Sequence, residues 1–389
     1  EVFDVVVVGA GITGTCAAYH AQLTGLRTLL IEQVCIHSAF LAPFPGFLFP
    51  ITGKSRIIRY AHNDGVYIPI ARESFKQIGE MEKKRGEKLW IKTGLVWIAE
   101  RDEIQAIADV MAEHDCESEI ITTAEVTRRY PQFVYGNELI GLVDPMGGVI
   151  LADKWIRAYQ EEFAILGGRS MELTTVHDVK EQAGIVTLQT SRGVIRAKKS
   201  IIAVGTWINK LIPDFPIQSE CQLISVSYWK PKRKEDEELM RPDRFPVILA
   251  TVSDAIGYYG LPSVDYEGAI KFAFHEGEVY EIDKEPVLLE TKMVEGTRQH
   301  LAKYLPIMDT ENGPFRIDRC KYSMSPDQHY ILDRLPGSNN IIVCGCLSGT
   351  GFKAGPALGK VLTEMMQGRQ PSLDVSAFSL KRFKNKSKI

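Results

Sequence analysis

The chain has 389 residues, of which 45% are hydrophobic and 24% charged, and carries a net charge of −3. At roughly 100–200 residues per domain this is material for two domains, or for one large domain with an insert, around a sizeable core. The near-neutral charge gives no electrostatic reason to expect nucleic acid or an anionic membrane as partner.

The chain opens "FDVVVVGAGITGTCAAYHAQLTGLRTLLIE". Val5 to Val8 form a continuous apolar run of the kind buried on both faces of a sheet. Gly9, Gly11 and Gly14 follow in the order GxGxxG, and residues 12–23 read as a helix ended by Gly25. Residues 27–31 read as a second strand, closed by Glu32. Gly9 permits the tight turn, Gly11 lets a pyrophosphate approach the backbone, and Gly14 lets helix and strand pack closely. The helix N-terminus offers unpaired N–H groups to the phosphates, and Glu32 can hold both ribose hydroxyls. Strand, glycines, helix and acid together predict a dinucleotide site, but do not choose between FAD and NAD.

The apolar stretch "AFLAPFPGFLFPI" is shorter than the ~20 residues of a membrane helix and holds three prolines, so no span is expected. No secretory signal is expected either. "GKSRIIRYAH" places Arg56 and Arg59 three apart, on one face in helical geometry, with Ile57 and Ile58 turned inward. Two such arginines suit a carboxylate or an anionic cofactor, although this segment alone also fits a solvated basic patch. Helices are predicted over 67–86 and over "LADKWIRAYQEEFAILGG". A hairpin is predicted turning at Arg192-Gly193, followed by a buried strand leading to a short helix in "KSIIAVGTWINKL".

"QLISVSYWK" and "AIKFAFHEG" alternate with period two and predict an antiparallel sheet. In the second of these, Ile270, Phe272 and Phe274 share one face, while Lys271, Ala273 and His275 share the other. Lys271 and His275 then look into a common cavity, or into water if that face is solvated. "NIIVCGCLSG" predicts a buried strand with Cys344 and Cys346 on one face, followed by a helix in "KAGPALGKVLTEMMQG". The loop "SGTGFKAGP" uses Gly349 and Gly351 to bring backbone close to a flat cofactor, or serves as an ordinary strand-to-helix turn. Seven cysteines without a CxxC pair fit a reduced, intracellular protein. The eight histidines show no metal-binding spacing, so no metal is expected. Cys320, in "CKYSMSPDQHY", taken by itself is a small buried hydrophobe.

Together, "VVVGAGITG…LLIE", "SRIIRYAH", "YYGLPSVDYEGAIKFAFHEG", "CKYSMSPDQHYILD" and "LSGTGFK" resemble the monomeric sarcosine oxidase family, from the N-terminus to about Phe383. That family includes pipecolate and N-methyltryptophan oxidases, and the chain looks closest to its peroxisomal sarcosine/pipecolate branch. The resemblance implies an α/β (α+β) fold. A Rossmann-like FAD-binding domain would take residues 1–90, 148–216 and 326–389. A discontinuous antiparallel-sheet substrate domain would take 91–147 and 217–325. It implies FAD as cofactor, joined by a thioether from Cys320 to the flavin 8α-methyl, with Arg319 or Lys321 beside that cysteine favouring its thiolate. Arg59 and Lys353 match the pair that holds the substrate carboxylate, Arg56 the arginine beside the flavin, and Lys271 the lysine that activates oxygen. Tyr259 and His275 match residues of the substrate pocket.

The implied reaction is oxidation of sarcosine, L-pipecolate or L-proline by O2 to an imine and hydrogen peroxide. A flavin dehydrogenase and a catalytically impaired FAD-binding relative are the alternatives. The chain departs from the family pattern in the loop at residues 33–53, which is apolar and has Thr52 before Gly53 where a histidine is expected. It departs again at Thr350, which replaces the histidine of "GHGFK". Both departures bear on flavin binding and substrate access. The C-terminal Ser387-Lys388-Ile389 resembles the peroxisomal S-K-L address, which implies an import receptor as partner and a peroxisomal location, with the cytoplasm as the alternative.

Overall fold

The computed structural model describes residues 1–35, 53–252, 257–282, 284 and 290–383. The apolar opening run becomes the strand Val2–Val8. It lies parallel to Thr28–Ile31 on one side and to Gly193–Ile202 on the other. Its alternation is used on both faces. Val5 and Val7 pack toward the helix Gly355–Met366, while Val6 and Val8 pack toward Ile208, Leu211 and Phe215. This is why the run is uniformly apolar rather than alternating. The sheet has eight strands among the described residues, and Ile341–Gly345 extends it beside Gly193–Ile202.

The glycine-loop helix is Ile12–Leu23, as its sequence predicts. Its buried residues are small, and it lies against Gly355–Met366 so closely that a Cβ on Gly359 would stand 2.6 Å from the Cys16 backbone carbon. The second predicted helix runs Ile68–Arg85, ended by Gly86 at φ +63, and the third is Ala152–Ile165.

A second sheet has nine strands among the described residues. Next to one edge, Glu220–Trp229 pairs antiparallel with Arg316–Met324 and with Ala269–Phe274. The predicted faces of Ala269–Phe274 hold. Ile270 and Phe272 join the core around Trp229 and Tyr304, while Ala269 and Ala273 face Tyr228 and Tyr322. A small three-stranded sheet, Ser55–Ile58, Gly148–Leu151 and Trp90–Lys92, carries Arg56.

Two local expectations fail. Arg56 and Arg59 do not share a helical face: Ser55–Ile58 is a strand, because it pairs antiparallel with Gly148–Leu151, and Arg59 lies beyond its end. Cys344 and Cys346 do not share a strand face either. The strand stops at Gly345, and Cys346 takes φ +49. The turn sends Cys344 into the core on one side of the sheet and Cys346 into the core on the other.

Candidate functional site

A cavity of about 710 Å³ runs along the C-terminal ends of the parallel strands, from Glu32 past Gly9 and Gly11 to Cys320, Gly349 and Phe352. This is where open α/β sheets place their ligands. Gly9 has φ +98, and a Cβ there would lie 2.4 Å from the Ala203 carbonyl oxygen; one on Gly14 would lie 1.9 Å from that of Gly9. At Gly11 a Cβ would meet nothing within 4 Å, because the residue borders the open cavity. Gly11 caps the helix without a side-chain hydrogen bond, so the first-turn amides are left for a ligand. The buried Thr13 hydroxyl, also on the cavity wall, has no hydrogen-bond partner among the described residues.

Glu32 ends the second strand. Its Oε2 accepts from the Ala10 amide at 2.7 Å and its Oε1 from the Val34 amide at 3.2 Å. Burial raises its proton affinity against those hydrogen bonds. An acid fixed at this distance from the glycine loop, an uncapped helix N-terminus and an orphan hydroxyl beside it fit the ribose and pyrophosphate of FAD. Trp207 and Lys321 also line this cavity, and the Lys321 ammonium lies 5.0 Å from the centre of the Trp207 ring. Sequence reasoning missed Trp207, which sits in a segment read only as a strand-to-helix turn.

At the other end of the cavity the expected residues converge from separate strands. Arg56 donates to the carbonyls of Gly53 at 3.2 Å and Ser55 at 2.7 Å, and its guanidinium lies 5.7 Å from the centre of the Phe352 ring. Cys320 is half-buried on Arg316–Met324, opposite Ile224. Tyr322, two residues on, has its hydroxyl 3.2 Å from Nδ1 of His275, whose ring stands edge-on to Tyr259 at 5.9 Å. The period of two from Cys320 was a signal for Tyr322 that the sequence reading did not use. Gly349 takes φ +75 and meets the Tyr322 ring. Gly351 has an ordinary φ of −71 and is needed for space, since a Cβ there would lie 2.3 Å from the Leu347 side chain. The Thr350 hydroxyl lies 2.9 Å from that of Tyr330.

Arg59 and Lys353 come together from distant parts of the chain. Lys353 is 6% exposed. Burial and the Arg59 guanidinium push its pKa well below the usual lysine value. Arg59 lies 4.8 Å from the centre of the Trp97 ring, and burial draws it down to about 10. Asp144, whose oxygens accept from the amides of Tyr60, Ala61 and Met146, opposes that fall. Both cations also bear on His275, which burial lowers to about 4. They bear equally on the buried His62, whose Nε2 has no partner among the described residues. Arg59, Lys353 and the two imidazoles share one recess, and an anion bound there would restore the charge that burial and Arg59 take from Lys353. His62 was not foreseen.

Lys271 is buried on the strand Ala269–Phe274. Its Nζ donates to the Ser55 carbonyl at 2.9 Å and lies 3.3 Å from Asp265 Oδ2. Asp265 and Tyr228, which complete this cluster, were not singled out from sequence. Among the described residues no group of metal-ligating side chains is found, and no helix is long and apolar enough to cross a membrane. Most of the 33–53 loop, Thr52 included, and Ser387-Lys388-Ile389 lie outside the described residues.

Residues 4–365 match the family described as FAD dependent oxidoreductase. The chain is 41% identical over 385 residues to a putative sarcosine oxidase of Caenorhabditis elegans, covering 98% of each. It is 30% identical over 395 residues to the peroxisomal sarcosine oxidase of Mus musculus, covering 100% of this chain and 98% of that one. L-proline dehydrogenase from P. horikoshii shares the fold, with a TM-score of 0.82 at 18% identity over 99% of both chains. The chain belongs to the FAD dependent oxidoreductase family, alongside the sarcosine oxidases, and is a flavin-dependent amino-acid oxidoreductase.

Proposed function

We propose that this chain oxidises a secondary-amine amino acid (sarcosine, L-pipecolate or L-proline) with O2, giving an imine and hydrogen peroxide. The observation that carries this reading is the Arg59–Lys353 pair. Two basic groups are not buried side by side without anions to compensate them, and Asp144 bears on Arg59 alone; the carboxylate of an amino acid is the anion that completes the pair. Bound FAD, held by the glycine loop, Glu32, Arg56 and the Gly349–Gly351 loop, supplies the two-electron acceptor.

The protein's own share is binding and electrostatics. Arg59 and Lys353 grip the carboxylate and so fix the C–H next to nitrogen, an orientation effect. Tyr259 and neutral His275 wall the recess and exclude water. Arg56 and Lys271 place fixed positive charge where electrons accumulate, so that stabilisation needs no reorganisation during reaction. The substrate loses two electrons and two protons, and O2 gains them as hydrogen peroxide. Cys320, on the cavity wall, anchors the flavin as a thioether. The two sheets correspond to a cofactor domain and a substrate domain interleaved along the chain. Ser387-Lys388-Ile389 directs the protein to peroxisomes; deleting those residues leaves it in the cytosol of a cell viewed by fluorescence, and an unchanged distribution contradicts this.

The test is peroxide formation across the three amino acids and their methyl esters. The free acids produce peroxide, and each ester loses about 100-fold or more in kcat/KM, as expected when a buried charge pair loses its partner. Equal activity on acid and ester contradicts the assignment of Arg59 and Lys353. Absence of peroxide with all three acids contradicts the function.

A further inference from the structure

Lys271 is asked to carry a positive charge while buried on a strand with a neighbour on either side. Burial and the Arg56 guanidinium both work to remove its proton. Asp265 works the other way. Its Oδ2 lies 3.3 Å from Nζ, with the two side chains only 2% and 5% exposed. The Tyr228 hydroxyl donates to the same Oδ2 at 2.8 Å. The Ser55 carbonyl accepts from Lys271 at 2.9 Å and from Arg56 at 2.7 Å, so two cations share one acceptor. With Asp265 ionised, the cluster keeps a net positive charge.

The arrangement is built by the backbone. Tyr258–Tyr266 pairs Leu261 with Lys271, yet Tyr266 pairs with Ala269, so the register slips between them. Irregularities of this kind re-aim side chains, and this one brings Asp265 under the ammonium. Tyr228 stands opposite Lys271 on the other neighbouring strand. Gly53 closes over both, since a Cβ there would lie 2.9 Å from Nζ and 2.9 Å from the Tyr228 hydroxyl. Asp265 Oδ1 is nevertheless buried with no partner among the described residues. An unpaired carboxylate oxygen is a cost that an apolar contact of the same shape would avoid, which points to a use beyond packing.

We propose that Asp265 is a positioning residue for the oxygen step: paired with Nζ, it keeps Lys271 a cation and holds that charge beside Arg56 at the flavin end of the cavity. This rests on the reading of Lys271 given above. The titratable groups around the ammonium are Arg56, Asp265, Tyr228 and Cys320, from four different strands, beside the neutral Ser55 carbonyl and hydroxyl. Of these, Asp265 is the carboxylate.

The holoenzymes to compare are wild type, Asp265→Asn, Asp265→Glu, Lys271→Met and the double variant Lys271→Met/Asp265→Asn. Asp265→Asn loses about 10- to 100-fold in kcat/KM for O2 at pH 8–9 and recovers as pH falls, because one pKa unit is a factor of ten in the charged fraction. The loss falls on O2 rather than on the amine, and Asp265→Glu restores most of it. The double variant is no worse than Lys271→Met, since both changes remove the same charge. Sulfite affinity of the flavin, read by absorbance, weakens in Asp265→Asn over the same pH range and reports that charge without turnover. If Asp265→Asn does not fold, Asp265→Ser, which leaves room for water, gives the same pH limb. A pH-independent loss, additive variants or an unaffected Asp265→Asn beside an impaired Lys271→Met overturns the inference alone. An unaffected Lys271→Met overturns the role of Lys271 and this inference with it.

Discussion

On Arg316–Met324 the side chains of Cys320 and Tyr322 share a face, and Tyr322 hands that face on to His275 and Tyr259. Cys320 thus stands between the cavity and the recess that holds Arg59 and Lys353. A thioether from that position, as proposed above, would tie the flavin to this wall of the cavity. Acid precipitation checks this. The wild-type pellet keeps its flavin fluorescence, and Cys320→Ser releases the flavin to the supernatant. Complete release from the wild type rules the bond out. The second half of the "CKYSMSPDQHY" segment does structural work: Asp327 accepts from Arg382 at 2.7 Å and 3.0 Å, and the His329 ring nitrogen lies 2.9 Å from the Tyr67 hydroxyl.

Among the elements, the two helices Ile12–Leu23 and Gly355–Met366 set the shape of the nucleotide end. Their backbones touch at Cys16 and Gly359, with no room for a side chain between. Gly359→Val is therefore expected to destabilise by about 1–3 kcal/mol through overpacking and to lower flavin occupancy, since the first helix carries the glycine loop. Unfolding in urea and the flavin-to-protein absorbance ratio measure both; unchanged values contradict the packing argument. The first helix was legible because its glycine turn, its helix and its acid are all local signals. The strand Ser55–Ile58 was not. Arginines three apart carry a helical period, and only pairing with the distant Gly148–Leu151 decides otherwise. Asp265 was hidden for a related reason, since its aim depends on a register slip that local alternation cannot show. Cys346 was misplaced because a positive φ just after a strand leaves no mark in an apolar run.

At the scale of the whole molecule, two sheets interleave along the chain, and the candidate site draws on both and on the small sheet that carries Arg56. Long-range pairing of this kind buries polar groups that local reading cannot place. His300 is one: it is 4% exposed, stacked on Tyr258 at 4.1 Å, and burial lowers it to about 3. Its folded pKa lies below the unfolded value of about 6.5, so the unfolded chain binds the extra proton. Its contribution to stability is therefore present above about pH 6.5 and is lost as pH falls toward 3. The thermal midpoint drops between pH 7 and pH 5, and His300→Phe makes that drop smaller. An equal drop in the variant contradicts the assignment.

The central claim is that the site removes two electrons from a secondary-amine amino acid and delivers them to oxygen. Anaerobic titration of the purified yellow protein with sarcosine, L-pipecolate and L-proline, followed by readmission of air, tests it directly. The account predicts bleaching by at least one of them, then return of the yellow colour with one peroxide per flavin. A flavin that none of the three reduces, or one that is reduced and regains its colour only with an artificial acceptor and without peroxide, contradicts it.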